Sequence, residues 1–389
     1  MSDWIDISVP ALRGNEIEYL NECITTNYVS SFGPFIKRFE DKIAEIIGLH
    51  PGETVATSSG TAAIQLGLLA CGVKPNDLVI IPTYTFIATA NAITYLGAKP
   101  WILDVEYENL TLNSLSLSKA LKKNTYKKNN ITYHKETNQR ISCIIPVHIF
   151  GYPPDLNNLL SLADEYSIPL LLDSACGIGS KFKNKKLGEI DLPGIISFNG
   201  NKTITSGAGG IFYSKNKSQI NFVRHLSTTA KISTKYDHDV IGYNYRLSNI
   251  QAALGLAQAE QLDIILREKK SINEIYKKEL NCQGYAKLID SPVWAQSSFW
   301  INMLIFNIEY KEKSKQLINF LYENKVRANY FWKPIHLQKP FLKSLRSASF
   351  EDNDIQKRII PLPSTPNLKI EEQYKVIALI NNFFLNIAK

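Results

Sequence analysis

Apolar positions recur along the chain in two rhythms, and the alternation between them lays out the elements. The opening rhythm is helical. Asn15 with Glu18 three residues on forms a capping-box pattern, followed by Ile17, Leu20 and Ile24 on one face. A second helix starts near Pro34, carries Phe35, Phe39, Ile43 and Ile46, and stops at Gly48. Ser58 and Ser59 can cap a third, whose apolar face is Ala62, Ile64, Leu66 and Leu69. Short, wholly apolar runs then interleave with helical ones: strand 78–81, helix 86–96, strand 101–103, strand 141–147, helix 156–166, strand 169–173, and strands 195–199 and 211–213. Strands that do not alternate with polar residues are buried on both faces, so the pattern predicts a mostly parallel sheet with helices on each side.

The rhythm changes after a long helix capped by Ser248 with Gln251 at its third position and lined by Leu254, Ala257, Leu262 and Leu266. Strand 301–306, helix 313–323, an extended run at 326–330 and a last helix 371–387 read as a smaller α+β domain. The boundary is expected near residue 260, giving a large domain over 1–260 and a small one over 261–389. No internal repeat is visible, and the Lys/Asn-rich stretch 119–140 reads as a surface excursion.

Composition narrows the class without deciding it. With 389 residues, 44% of them hydrophobic and 21% charged, the chain fits two or three folded domains rather than a disordered or fibrous protein. The balance of 44 Lys and Arg against 36 Asp and Glu gives +8, which raises the question of an acidic partner. Much of the excess lies in the one polar stretch, at Lys119, Lys122, Lys123, Lys127, Lys128, Lys135 and Arg140, with no aromatic ladder or nucleic-acid module beside it. A solvated face is therefore expected, and no nucleic-acid partner. Five widely spaced cysteines without a CxxC pair offer no zinc clip and point to a reducing, cytoplasmic setting. The N-terminus has no signal-peptide pattern, and no apolar run approaches the ~20 residues of a membrane span, so no membrane partner is expected.

Candidate chemistry follows from where parallel strands end, because ligands in open α/β sheets bind beyond the carboxyl ends. Ser59-Gly60-Thr61 opens a helix with free N–H groups and a hydroxyl, a setting for phosphate. Asp173 closes a buried strand, Ser197 lies within another, and Lys202 follows just past its end in Asn199-Gly200-Asn201-Lys202. A second glycine cluster, 207–210, allows close backbone approach. An anion nest, a buried carboxylate and a strand-end lysine together match the needs of pyridoxal phosphate: a phosphate site, a partner for the pyridine nitrogen and an amine for attachment.

These residues, with Pro82-Thr83-Tyr84-Thr85-Phe86-Ile87-Ala88-Thr89-Ala90-Asn91-Ala92, Pro146-Val147-His148-Ile149-Phe150-Gly151, Gly242-Tyr243-Asn244-Tyr245-Arg246 and the Trp332-Lys333-Pro334-Ile335-His336 segment, resemble the DegT-type sugar aminotransferases. The likeness extends over nearly the whole chain. It implies the aspartate aminotransferase fold (fold type I): a large domain with a mostly parallel seven-stranded sheet and a smaller C-terminal α+β domain. By position, Lys202 resembles the lysine that holds pyridoxal 5′-phosphate and moves the proton, and Asp173 the carboxylate that partners the pyridine nitrogen. Gly60, Thr61 and Ser197 match the phosphate cradle, and Phe86 an aromatic that stacks on the ring. Asn244 resembles a residue reaching the phosphate from a neighbouring subunit, which implies a homodimer with shared active sites.

Two positions depart from the family. Leu172 stands where a Glu usually precedes the Asp, and Cys176 stands where a Gln or His usually follows three residues later; a thiol is a poor hydrogen-bonding substitute, so Cys176 is expected near the cofactor but not in the chemistry. The segment 197–202, with Leu226-Ser227-Thr228, is similar to aminotransferases acting on UDP-4-keto-6-deoxy-N-acetylhexosamines. Glutamate as donor and amination at C4 of the sugar are implied, with Lys181, Arg246, Trp332 and His336 as candidate contacts for sugar or diphosphate. The alternatives are transamination of GDP-4-keto-6-deoxymannose and, in another class, a non-catalytic sensor or nucleic-acid-binding protein. A related dehydratase chemistry, in which His replaces the lysine, is disfavoured by Lys202.

Overall fold

The computed structural model describes residues 3–347 and 355–387. Among these, seven strands form the central sheet: β1 (Thr54–Thr57), β2 (Leu78–Pro82), β3 (Lys99–Leu103), β4 (Ile141–Ile144), β5 (Leu172–Asp173), β6 (Gly194–Ser197) and β7 (Gly210–Tyr213). Every residue in them except Lys99 is buried. The order is β1-β7-β6-β5-β4-β2-β3, the two halves meeting through parallel bridges at Ile144–Leu170 and Val147–Asp173. All neighbours are parallel except β7, which runs antiparallel to both β1 and β6. A two-residue strand, Leu345–Arg346, extends the sheet beside β3.

Successive residues of a strand face opposite ways, and the two faces build separate cores. Val79, Ile81, Leu171, Ile195 and Phe212 pack under α3 (Gly60–Ala70), α4 (Ile87–Tyr95) and α7 (Lys217–Ser227). On the other face, Ile196 and Ile211 meet α2 (Pro34–Ile47) and α8 (Asn249–Glu260), while Leu78, Ile80 and Trp101 meet α5 (Ser114–Asn124) and α6 (Leu156–Tyr166). This is the doubly covered α/β layer that the unbroken apolar strands predict.

A third core lies between a small antiparallel sheet, β8 (Ala286–Leu288), β9 (Asn302–Phe306) and β10 (Ile359–Leu362), and three helices, α9 (Leu262–Glu279), α10 (Lys311–Glu323) and α11 (Ile370–Ile387). The long helix expected from Ser248 is two helices, α8 and α9, separated at Gln261 (φ −95°, ψ −1°). α9 carries Leu262 and Ile265 into the second core and Ile272 and Tyr276 into the third. The extended run at 326–330 is reduced to one parallel bridge between Ile5 and Val326.

The first helix, α1 (Glu16–Thr25), differs most from its expectation. Asn15 makes no cap; its side chain reaches Tyr19 and Glu260 instead. The apolar stripe faces outward, with Ile17 78% and Ile24 63% exposed. The buried residues are Glu16 and Cys23, because Glu16 accepts from Gln258 Nε2 at 2.6 Å and from Gly14 N at 2.7 Å. The basic stretch forms the end of α5 and a hairpin, Thr125–Lys128 with Ile131–His134, whose lysines stay solvated. Among the described residues, no helix is long and apolar enough to cross a membrane.

Candidate active site

The carboxyl ends of β2, β4, β5 and β6 open into a cleft of about 300 Å³. The phosphate end is built by α3. Ser59, extended at φ −163°, caps it by accepting from Ala62 N at 3.1 Å. The N–H groups of Gly60 and Thr61 find no acceptor among the described residues, and the helix's partial positive charge faces the cleft. A Cβ on Gly60 would lie 2.8 Å from Ser197 Cβ, and one on Gly210 would lie 2.6 Å from Ser59 O and 2.7 Å from Gly60 N. Both glycines are therefore required for the cradle to close around an anion, with Ser197 Oγ on its rim.

Asp173 ends β5 and is nearly fully buried. Its Oδ2 accepts from Thr89 Oγ1 at 2.7 Å and its Oδ1 from Ala175 N at 3.1 Å. Burial pushes the carboxyl up from its ordinary range, and these two donors and the charge of Lys202 oppose that rise. A buried carboxylate equipped in this way is completed by a cation or a protonated nitrogen. Nearby His148 is also buried, which pushes its ring down to about 3 and keeps it neutral; its Nδ1 lies 3.1 Å from Ser174 Oγ.

Lys202 lies past the end of β6, its backbone N bonded to Asn199 O at 2.9 Å. Its Nζ donates to Cys176 Sγ at 3.1 Å and sits 4.1 Å from the centroid of the Trp300 ring. Burial pushes the Cys176 thiol up, and Lys202 offsets part of that. Phe86, half exposed at the N-terminus of α4, and Trp332 complete the mouth with ring centroids 5.6 Å apart. The donor set fits pyridoxal 5′-phosphate: an anion cradle that needs glycine at 60 and 210, a buried carboxylate for the ring nitrogen, and an amine facing both.

The structure thus brings Gly60, Thr61, Phe86, Asp173, Cys176, Ser197, Lys202 and Trp332 to one cleft. It does not bring the other expected residues there. Lys181 is carried by a short hairpin to a different cleft, beside Lys42 and Lys186. His336 is buried with Nδ1 2.5 Å from Thr83 Oγ1, behind the aromatic wall rather than on it. Arg246 is half-buried and bridged to Thr57, and Asn244 is exposed and bridged to Thr228. Two residues escaped the sequence reading. Thr89 stands three residues after Phe86, on the turn of α4 that faces Asp173, a spacing that could have flagged it. Trp300 belongs to no motif and reaches the cleft only because the chain folds back from the small domain. Among the described residues no cluster of His, Cys, Asp or Glu could hold a metal ion.

The sequence pattern of the DegT/DnrJ/EryC1/StrS aminotransferase family matches residues 10–381. Similar curated proteins include GDP-perosamine synthase of Vibrio cholerae, 33% identical over 383 residues that cover 98% of this chain and 99% of that protein. GDP-perosamine synthase of Escherichia coli O157:H7 is 33% identical over 382 residues, with the same coverage of 98% and 99%. Among solved structures, the aminotransferase TlmJ from Streptoalloteichus hindustanus shares the fold, with a TM-score of 0.87 over 99% of this chain and 100% of that one at 22% identity. The two perosamine synthases carry a GDP-sugar name, where the short segments suggested UDP-sugar enzymes.

Proposed function

Because the chain belongs to the DegT/DnrJ/EryC1/StrS aminotransferase family and is a pyridoxal phosphate-dependent sugar aminotransferase, we propose that it transfers an amino group from glutamate to C4 of GDP-4-keto-6-deoxymannose. The observation that carries the site assignment is the shared cleft of Lys202, Asp173 and the α3 cradle. The choice of nucleotide is supported by two relatives named GDP-perosamine synthase that match nearly the whole chain. A UDP-4-keto-6-deoxy-N-acetylhexosamine is the second reading, supported by the likeness of segment 197–202 to enzymes of that kind.

The cofactor, when bound, supplies an aldehyde that takes up the amino group and a ring that accepts electrons from the reacting carbon. The chain supplies the rest. Gly60 and Thr61 N–H and Ser197 Oγ hold the phosphate, and Asp173 holds a proton on the ring nitrogen. Lys202 Nζ takes a proton from the glutamate carbon and returns one when the sugar is the partner. Phe86 and Trp332, side by side at the mouth, would restrict water there.

The working unit in this reading is a homodimer in the cytoplasm. It is supported by the outward apolar face of α1 at Ile17 and Ile24, and by the exposed Ile232, Tyr236, Val240 and Ile241 near Asn244. Asn244 would reach the partner subunit's phosphate. All five cysteines are unpaired, in keeping with a reducing compartment.

Steady-state rates with glutamate as donor test the nucleotide. The expected kcat/KM for GDP-4-keto-6-deoxymannose exceeds that for the UDP-linked sugar by at least about 100-fold. The opposite ratio would carry the second reading, and turnover of neither would overturn both.

A further inference from the structure

The amine of Lys202 has to rest somewhere whenever it is not attached to the cofactor, and that resting place is lined by two soft groups, the Cys176 sulfur and the face of Trp300. We propose that Trp300 is a positioning residue for Lys202, its ring forming a seat for the amine that is fixed from behind by Lys269. The inference rests on reading Lys202 as the cofactor's lysine.

Trp300 is held at its ring and at its backbone. Its Nε1 donates to Asn201 O at 2.6 Å, tying the indole to the residue next to Lys202. Its backbone carbonyl accepts from Lys269 Nζ at 3.0 Å, and the same Nζ donates to Ser364 O at 2.7 Å. Lys269 lies on α9 and is 1% exposed, so a buried amine joins this helix to the backbone at Trp300, on the cleft, and at Ser364. Burial pushes that amine down to about 7, and Glu268 on the same helix opposes the shift. A buried amine is costly unless its hydrogens are used, and here they serve two carbonyls. At the front of the ring, the negative face attracts a protonated amine and not a neutral one. The seat therefore holds the Lys202 amine in place against the ring and the thiol, which a reagent that must reach that amine reports as slow modification.

The test uses the full-length protein freed of cofactor, treated with trinitrobenzenesulfonate, with the Lys202 and Lys122 peptides followed by mass spectrometry. Lys122 is exposed and serves as an internal clock. Trp300→Leu is expected to speed modification of Lys202 about two- to fivefold relative to Lys122, the range of an exposed to partly buried cation–π contact. Trp300→Phe, which keeps a ring face, stays within about twofold of the parent, and Lys269→Met shifts the rate in the same direction as Trp300→Leu. Trp300→Met, similar in volume to leucine but unbranched and more adaptable, replaces the leucine variant if that one does not fold. An unchanged Lys202 rate in Trp300→Leu or Trp300→Met overturns the seat, and an unchanged rate in Lys269→Met overturns its anchoring. Because nothing in the assay requires amino transfer, the seat can fail while the proposed function stands, and the reverse.

Discussion

The Asp173 carboxylate is supported against its burial chiefly by one hydroxyl on another element. Burial alone would favour its neutral form, and Thr89 Oγ1 at 2.7 Å is the largest counterweight. Removing a hydrogen bond to a charged group costs about 1.5–3 kcal/mol, so Thr89→Val is expected to weaken cofactor retention about 10- to 100-fold, measured by the fraction of cofactor remaining after dialysis. Wild-type retention in Thr89→Val would contradict this role. Lys202→Ala is expected to lower amino transfer by about 10² to 10⁴, the usual contribution of a positioned proton-transfer group, while leaving the fold intact by circular dichroism. At this scale the sequence named residues that the strand ends bring into one cleft and missed those that long-range packing places there. Trp300 is about a hundred residues from Lys202 in the chain, and no local pattern links them. Lys181 has the right charge but sits on a hairpin that turns into another cleft.

The cradle is a property of elements, made where the start of α3 passes under β6 and β7. Gly210→Ala would place a Cβ against Ser59 O and Gly60 N, backbone atoms that can yield only by moving the helix start. The expected result is a loss of about 1–3 kcal/mol in stability together with weaker cofactor binding. Gly200→Ala, whose Cβ would meet only Gly207 O at 3.8 Å, is the control and should stay within about 0.5 kcal/mol of the parent. Equal denaturation midpoints for the two variants would remove the steric argument. Strand and helix placement was largely legible, because unbroken apolar runs and the Ser59 and Ser248 caps are local signals. α1 was misread because its apolar stripe was assumed to face this chain's own core, whereas Glu16 and Cys23 face it. The break at Gln261 carries no glycine or proline and is set by the two cores that α8 and α9 serve.

For the whole molecule, Lys269 ties stability to pH. Its amine titrates at an ordinary 10.5 in the unfolded chain and near 7 when folded. Between those values the unfolded state binds more protons, so this group's penalty is full below pH 7 and fades as pH rises toward 10.5. Urea midpoints should therefore rise from pH 7 to pH 9 in the parent relative to Lys269→Met, and parallel curves would contradict the linkage. The proposed homodimer, if its subunits share their sites, makes a second prediction at this scale. Subunits carrying Lys202→Ala and subunits carrying Asn244→Ala, each poorly active alone, should regain activity when refolded together, because each mixed dimer holds one unaltered site. The most direct test of the central claim is a half-reaction followed by absorbance. The loaded protein should be yellow and lose its colour with glutamate. The colour should then return on addition of GDP-4-keto-6-deoxymannose and not of the UDP-linked N-acetyl sugar. A protein that never takes up colour with added pyridoxal phosphate, or that glutamate does not bleach, would contradict the account.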